Sequence, residues 1–108
     1  MRAGFMLRLK PDGLDEYKRR HDEIWPELVQ ELAANGIEQV TIFNTDTTLF
    51  IFSRIADADS WEKLWHTPIH LEWAGELEPY MALDEAGAPD STDLTEIFHL
   101  LPAEGHRP

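Results

Sequence analysis

Cysteine is absent from the chain, which excludes disulfides, thiolate zinc sites and thiol nucleophiles and suits a reducing compartment. Basic residues are scarce. Nine Lys and Arg stand against twenty-one Asp and Glu, a net charge of −12 that would repel a phosphate backbone or an anionic membrane. No uninterrupted apolar run approaches the roughly 20 residues that span a bilayer. The apolar stretch within Met1–Lys10 is interleaved with polar residues and has no small-residue cleavage site behind it, so it reads as a strand and not as a signal peptide. No Gly-x-Gly-x-x-Gly, Walker or Gly-x-Ser-x-Gly sequence occurs, so nucleotide binding and serine hydrolase chemistry have no local support. From these absences we expect a soluble, cytoplasmic protein with neither nucleic acid nor membrane as a partner.

What is present is enough apolar material to close a core, 43% of 108 residues, in a length that fits one domain, read here as residues 1–101 with a C-terminal tail over 102–108. So short a chain buries a modest share of its surface, and burying more in a homodimer would help. Ala3–Lys10 alternates in its second half and ends at Pro11-Asp12-Gly13, a strand followed by a turn. From Asp12 to Ala34, Leu14, Tyr17, His21, Ile24, Trp25, Leu28 and Leu32 recur three or four apart, the stripe of a helix that Asn35-Gly36 stops. Pro26 lies inside it and predicts a kink, or a break into two helices, near Glu23.

Ile37–Phe43 and Leu49–Ile55 are rich in β-branched and aromatic residues and form a hairpin around Asn44-Thr45-Asp46-Thr47. Asp57–Ser60 can cap a helix carrying Trp61, Leu64 and Trp65, and Pro68 can start a second piece through Trp73 to about Met81. Asp84–Ser91 reads as a loop, and the alternating Leu94–Leu101 as a fourth strand. The order strand, helix, hairpin, helices, strand predicts an α+β chain of the ferredoxin-like, split βαβ kind. A second copy covering the free sheet face would make a dimeric α+β barrel.

Tyr17 and His21 are four apart, so two polar rings share the inward stripe, and each requires a partner from the protein or from a polar ligand. A core His bonded to a carbonyl is the plain reading. The Pro26 break and Trp25 beside it favour a site: an imidazole titrating near pH 6.5 exchanges protons near neutrality, and an indole is a platform for the apolar face of a sugar.

At this segment, Tyr17-Lys18-Arg19-Arg20-His21 followed by Ile24-Trp25-Pro26-Glu27-Leu28, the chain resembles the L-rhamnose mutarotase family. The similarity extends to the first strand and its Pro-Asp turn, Gly36, the hairpin, Trp61, Trp73, Pro89-Asp90-Ser91 and Leu94–His99. The resemblance implies a homodimeric α+β barrel that uses no metal and no cofactor on a monosaccharide. It makes His21 the general acid, with Tyr17 and Trp73 binding the sugar. The residue matching the second tryptophan of a family pair is Ala74, and Val40 stands where the family has a strand tyrosine at the sugar site. Both departures bear on which sugar fits.

Other signals carry less. His66 and His70 are four apart, but Pro68 lies between them and no Glu completes a His-Glu-x-x-His pattern, so they read as surface or rim residues. Trp61 and Trp65 read as core or dimer interface, His99 is a second candidate on the last strand, and the helix carboxylates read as solvated charge. The competing functions are a cofactor-independent monooxygenase on the same architecture and a non-catalytic sugar-binding module.

Overall fold

The computed structural model describes residues 1–105 and runs β1 (Arg2–Arg8), α1 (Leu14–Asp22), α2 (Pro26–Ala34), β2 (Ile37–Thr45), β3 (Thr48–Ile55), α3 (Ser60–Trp65), α4 (Pro68–Leu77) and β4 (Ser91–Leu94). All strand pairs are antiparallel, in the order β2-β3-β1-β4. This is the ferredoxin-like α+β arrangement that the element order predicts.

The period of two decides which side chains meet the helices. Leu7 pairs with Leu49, Phe5 with Ile51 and Ile51 with Ile42, all on the helix-covered face. On β3 that face holds Leu49, Ile51, Ser53 and Ile55, all buried, and burial of each large apolar side chain contributes about 1.5–3 kcal/mol. The intervening Phe52 and its neighbour Phe43 point the other way and are 45% and 60% exposed, their rings 6.0 Å apart.

Pro26 breaks the long helical stripe outright. It occupies the first turn of α2, where its missing N–H costs nothing, and Trp25 before it is extended at φ −65°, ψ 132°, the conformation a following proline favours. The single apolar stripe therefore becomes two short helices meeting at Ile24 and Trp25. Gly36, at φ +83°, ends α2 in the left-handed conformation that glycine adopts without strain.

Gly13 is fixed by close approach instead. A Cβ there would stand 2.6 Å from the Tyr80 carbonyl oxygen, a backbone atom that cannot swing aside. Gly13→Ala is expected to cost about 1–3 kcal/mol, read as a fall in urea midpoint at unchanged m-value. A midpoint within error of wild type would refute the close approach.

The fourth strand corrects the sequence reading. It is Ser91–Leu94, and Thr95–Leu101 forms no regular strand. The reason is the length of its partner: Leu7 pairs with Ser91 and Gly4 with Leu94, so β1 reaches its first residues just where the reading expected the strand to begin. Past the ladder, Arg2 Nε donates to Glu96 Oε1 at 2.6 Å. Beyond it Ile97 is 94% exposed. In the tail, Pro102–Glu104 makes a 3-10 turn, and the part of the tail reading that covers residues 106–108 lies outside the described residues. No helix among the described residues is long and apolar enough to cross a membrane.

Candidate active site

Between the helices and the sheet lies a cavity of about 610 Å³, within the range of small-molecule sites. Its walls are largely apolar and aromatic, and its polar side chains are few: Tyr17, His21, His70, Ser91 and Asp93, besides indole N–H groups.

α1 delivers Tyr17 and His21 one turn apart, and their rings stack with centroids 4.2 Å apart and planes 29° from parallel. Trp73, from α4, meets the His21 ring edge-on at 5.3 Å, and Trp25 meets Trp73 edge-on at 5.1 Å. The helix break at Pro26 is what allows Trp25 to turn toward α4. Arg20 ties the two helices together: it bonds Glu16 within α1 and reaches Glu76 of α4 at 2.6 Å, with its guanidinium 5.6 Å from the Tyr80 ring centroid.

The His21 ring has a defined polarity. Its Nδ1 lies 2.9 Å from the Tyr17 carbonyl oxygen, which can only accept, so Nδ1 carries a proton and, in the neutral ring, Nε2 holds the lone pair. Burial pushes the His21 pKa below its ordinary 6.5, against the upward pull of the Tyr17 carbonyl and the Asp22 charge. The neutral, proton-accepting form therefore predominates at neutral pH. Burial pushes the Tyr17 phenol up instead, keeping it a neutral hydroxyl. That hydroxyl bonds no other described residue and is free for a ligand.

The three residues singled out in the sequence, His21, Tyr17 and Trp73, thus stand in one cluster on the cavity wall, and Val40 and Ala74 line the same cavity. Trp61 packs on the core with its indole N–H on Ser53 Oγ at 2.8 Å, whereas Trp65 is 43% exposed and edges the cavity. His99 is exposed and lines no part of it. His66 is also exposed, its ring bonded to the Glu62 carbonyl oxygen. Among the described residues no three His, Asp or Glu side chains come together as a metal site.

Three polar lining residues lie outside the set that the sequence singles out, namely Ser91, Asp93 and His70. Ser91 and Asp93 pair with Leu7 and Phe5 and so share their inward face; the sequence pattern, which starts the last strand at Leu94, leaves both in the preceding loop. His70, which the sequence reads as a surface or rim residue, shares an α4 face with Trp73, three residues on, and lines the cavity.

The family model for L-rhamnose mutarotase matches residues 2–100. The chain belongs to the L-rhamnose mutarotase family. A relative from Oceanobacillus iheyensis named L-rhamnose mutarotase is 42% identical over 92% of this chain and 97% of its own length. The crystal structure of the L-rhamnose mutarotase from Formosa agariphila superposes with a TM-score of 0.79 at 29% identity, over 94% of this chain and 99% of that one. SnoaB, a cofactor-independent oxygenase from Streptomyces nogalater, shares the fold at a TM-score of 0.61 and 16% identity, over 94% of this chain and 97% of its own. That likeness concerns architecture alone and gives the monooxygenase reading no chemical support.

Proposed function

We propose that the protein is a sugar mutarotase, an isomerase that interconverts the α and β anomers of L-rhamnose or a related deoxyhexose by ring opening and closure, without metal or cofactor. The observation that carries the chemistry is His21: its Nδ1 proton is held by a carbonyl, its Nε2 is a base at neutral pH, and its ring is held between Tyr17 and Trp73.

In the forward step Nε2 takes the proton of the anomeric hydroxyl while the ring oxygen gains one from a hydroxyl or water, and the bond between the anomeric carbon and the ring oxygen breaks. The aldehyde then turns about the bond to its neighbouring carbon. Closure on the other face reverses each transfer, with His21 now returning its proton as the acid. One group serves both directions because product and substrate differ only at the anomeric centre. Tyr17, whose ionisation burial disfavours, donates a hydrogen bond to the sugar and takes no part as a base. Trp73 offers its indole to the apolar face of the ring.

Exchange NMR on the anomeric protons of L-rhamnose, with L-fucose and other hexoses in parallel, tests this reading. Faster α–β exchange with wild-type protein, largest for the true substrate, is the expected result. Sugar binding without any change in exchange rate would leave only a binding module.

We further propose a cytoplasmic homodimer in which the outer sheet face, carrying the exposed Phe43 and Phe52, packs on a second copy. The solution mass is then expected at twice the 12.5 kDa of one chain, and Phe52→Glu, which would bury a charge without a partner, is expected to shift it toward the monomer. A wild-type mass of one chain would refute the dimer.

A further inference from the structure

The mechanism leaves three polar side chains of the cavity idle, His70, Ser91 and Asp93, and of these His70 is the one with a buried polar atom left unsatisfied. It is half-buried, its Nδ1 is shut off from water without a hydrogen-bond partner, and no described residue bonds the ring at all. A neutral imidazole has one donor and one acceptor. Burial alone bears on its ionisation and pushes the pKa down, so the ring stays neutral near pH 7. A buried polar atom left without a partner costs free energy, which a ligand reaching it would restore.

The helix geometry says where that ligand lies. His70, Trp73 and Ala74 fall at i, i+3 and i+4 on α4 and all line the cavity. Side chains on a helix lean back over the turn N-terminal to them, so the residue at 74 is the one whose side chain could cover the ring at 70. Alanine offers a single methyl. A ring that a larger residue would shield is left beside open cavity, one turn from the indole that touches His21. Turning the ring about its χ2 bond brings Nδ1 from its dry side to the side of Cδ2.

Resting on the mutarotase reading, we propose that His70 is a specificity-determining residue that hydrogen-bonds a hydroxyl of the bound pyranose away from the anomeric carbon, in the space left by Ala74. A sugar hydroxyl both donates and accepts, which matches a neutral imidazole in either tautomer. His70 thereby selects a pyranose that carries this hydroxyl over its deoxy counterpart, while His21 performs the proton transfer.

The test compares wild type, His70→Leu and His70→Gln by anomer-exchange kinetics on L-rhamnose, L-mannose, L-fucose and the singly deoxygenated L-rhamnose analogues. For the best substrate, His70→Leu is expected to raise KM about tenfold with kcat within about twofold, the size of one hydrogen bond, and His70→Gln to recover part of the loss. One deoxygenated analogue should lose the same factor with wild type and nothing further with His70→Leu. In parallel, the ring nitrogens of His70 followed by ¹⁵N NMR in the wild-type protein should shift on sugar addition, a readout that stands even if a variant fails to fold. Exchange catalysed by wild type but with KM unaltered in His70→Leu, or ring shifts unmoved by sugar, overturns the His70 proposal and leaves the mutarotase reading intact. Wild type inert toward every sugar overturns both.

Discussion

His21→Ala is expected to lower kcat/KM for anomer exchange by about 10²- to 10⁴-fold, the range supplied by one positioned acid–base group. The uncatalysed opening of a pyranose is already fairly fast, so such a loss brings the variant close to the spontaneous rate. Structural damage should be modest. Alanine removes the bond to the Tyr17 carbonyl and the contacts with Tyr17 and Trp73, while the helix keeps its own ladder. The far-ultraviolet dichroism of the variant should match that of wild type. A variant that keeps more than about a tenth of the wild-type kcat/KM would remove His21 from the mechanism, since that exceeds what a missing general base allows.

The pH profile carries the same assignment with a definite sign. Burial lowers the folded-state pKa of His21 below 6.5, so the neutral form predominates at pH 7 and is lost as pH falls through that lowered value. Wild-type kcat/KM, which follows the free enzyme, should therefore be highest on the alkaline side of neutrality and fall on acidification, with its midpoint below 6.5, the ordinary pKa of histidine. Stability has the same sense: between the folded and unfolded pKa values the unfolded chain binds more protons, so this group favours folding above the unfolded pKa and weakens it on acidification. An activity that rises as pH falls would require a protonated His21 as the working species and contradict the Nδ1 and burial argument.

The helical stripe carried much of this in plain sight. Tyr17 and His21 share a face because they are four apart, and Pro26 announces the break that turns Trp25 toward α4. Pattern alone could not say how far β1 extends, and so it started β4 at Leu94 instead of ending it there. Register is a property of two segments, and Leu94–Leu101 alternates whether or not a partner strand lies beside it. Ser91 and Asp93 were lost from the site with that shift. His70 was missed for another reason: an unsatisfied ring nitrogen depends on what every other element leaves unoccupied, which no local spacing encodes. The outer-face phenylalanines, Phe43 and Phe52, alternate like core residues, yet among the described residues they stay largely exposed.

Trp73→Ala is expected to be the most destabilising of these substitutions, by about 3–5 kcal/mol, the cost of emptying a buried tryptophan site. Trp73 is 6% exposed and packs in the same cluster as Leu28, Ile51 and Leu77 while its edges meet His21 and Trp25. Against a typical domain stability of about 5–15 kcal/mol, and at about 4–8 °C of Tm per kcal/mol for a chain of this size, the Ala variant should melt at least about 12 °C lower. Its activity would then report unfolding as much as chemistry. Trp73→Phe separates the two roles, because it keeps an aromatic ring in the cluster and removes only part of the surface offered to a sugar. It should lose about 1–2 kcal/mol, stay folded at 25 °C, and show a raised KM with a smaller change in kcat, since a binding platform acts alike on ground and transition states. If Trp73→Phe instead lowers kcat and leaves KM alone, Trp73 acts through the orientation of His21, whose ring it meets edge-on at 5.3 Å, and not through the sugar.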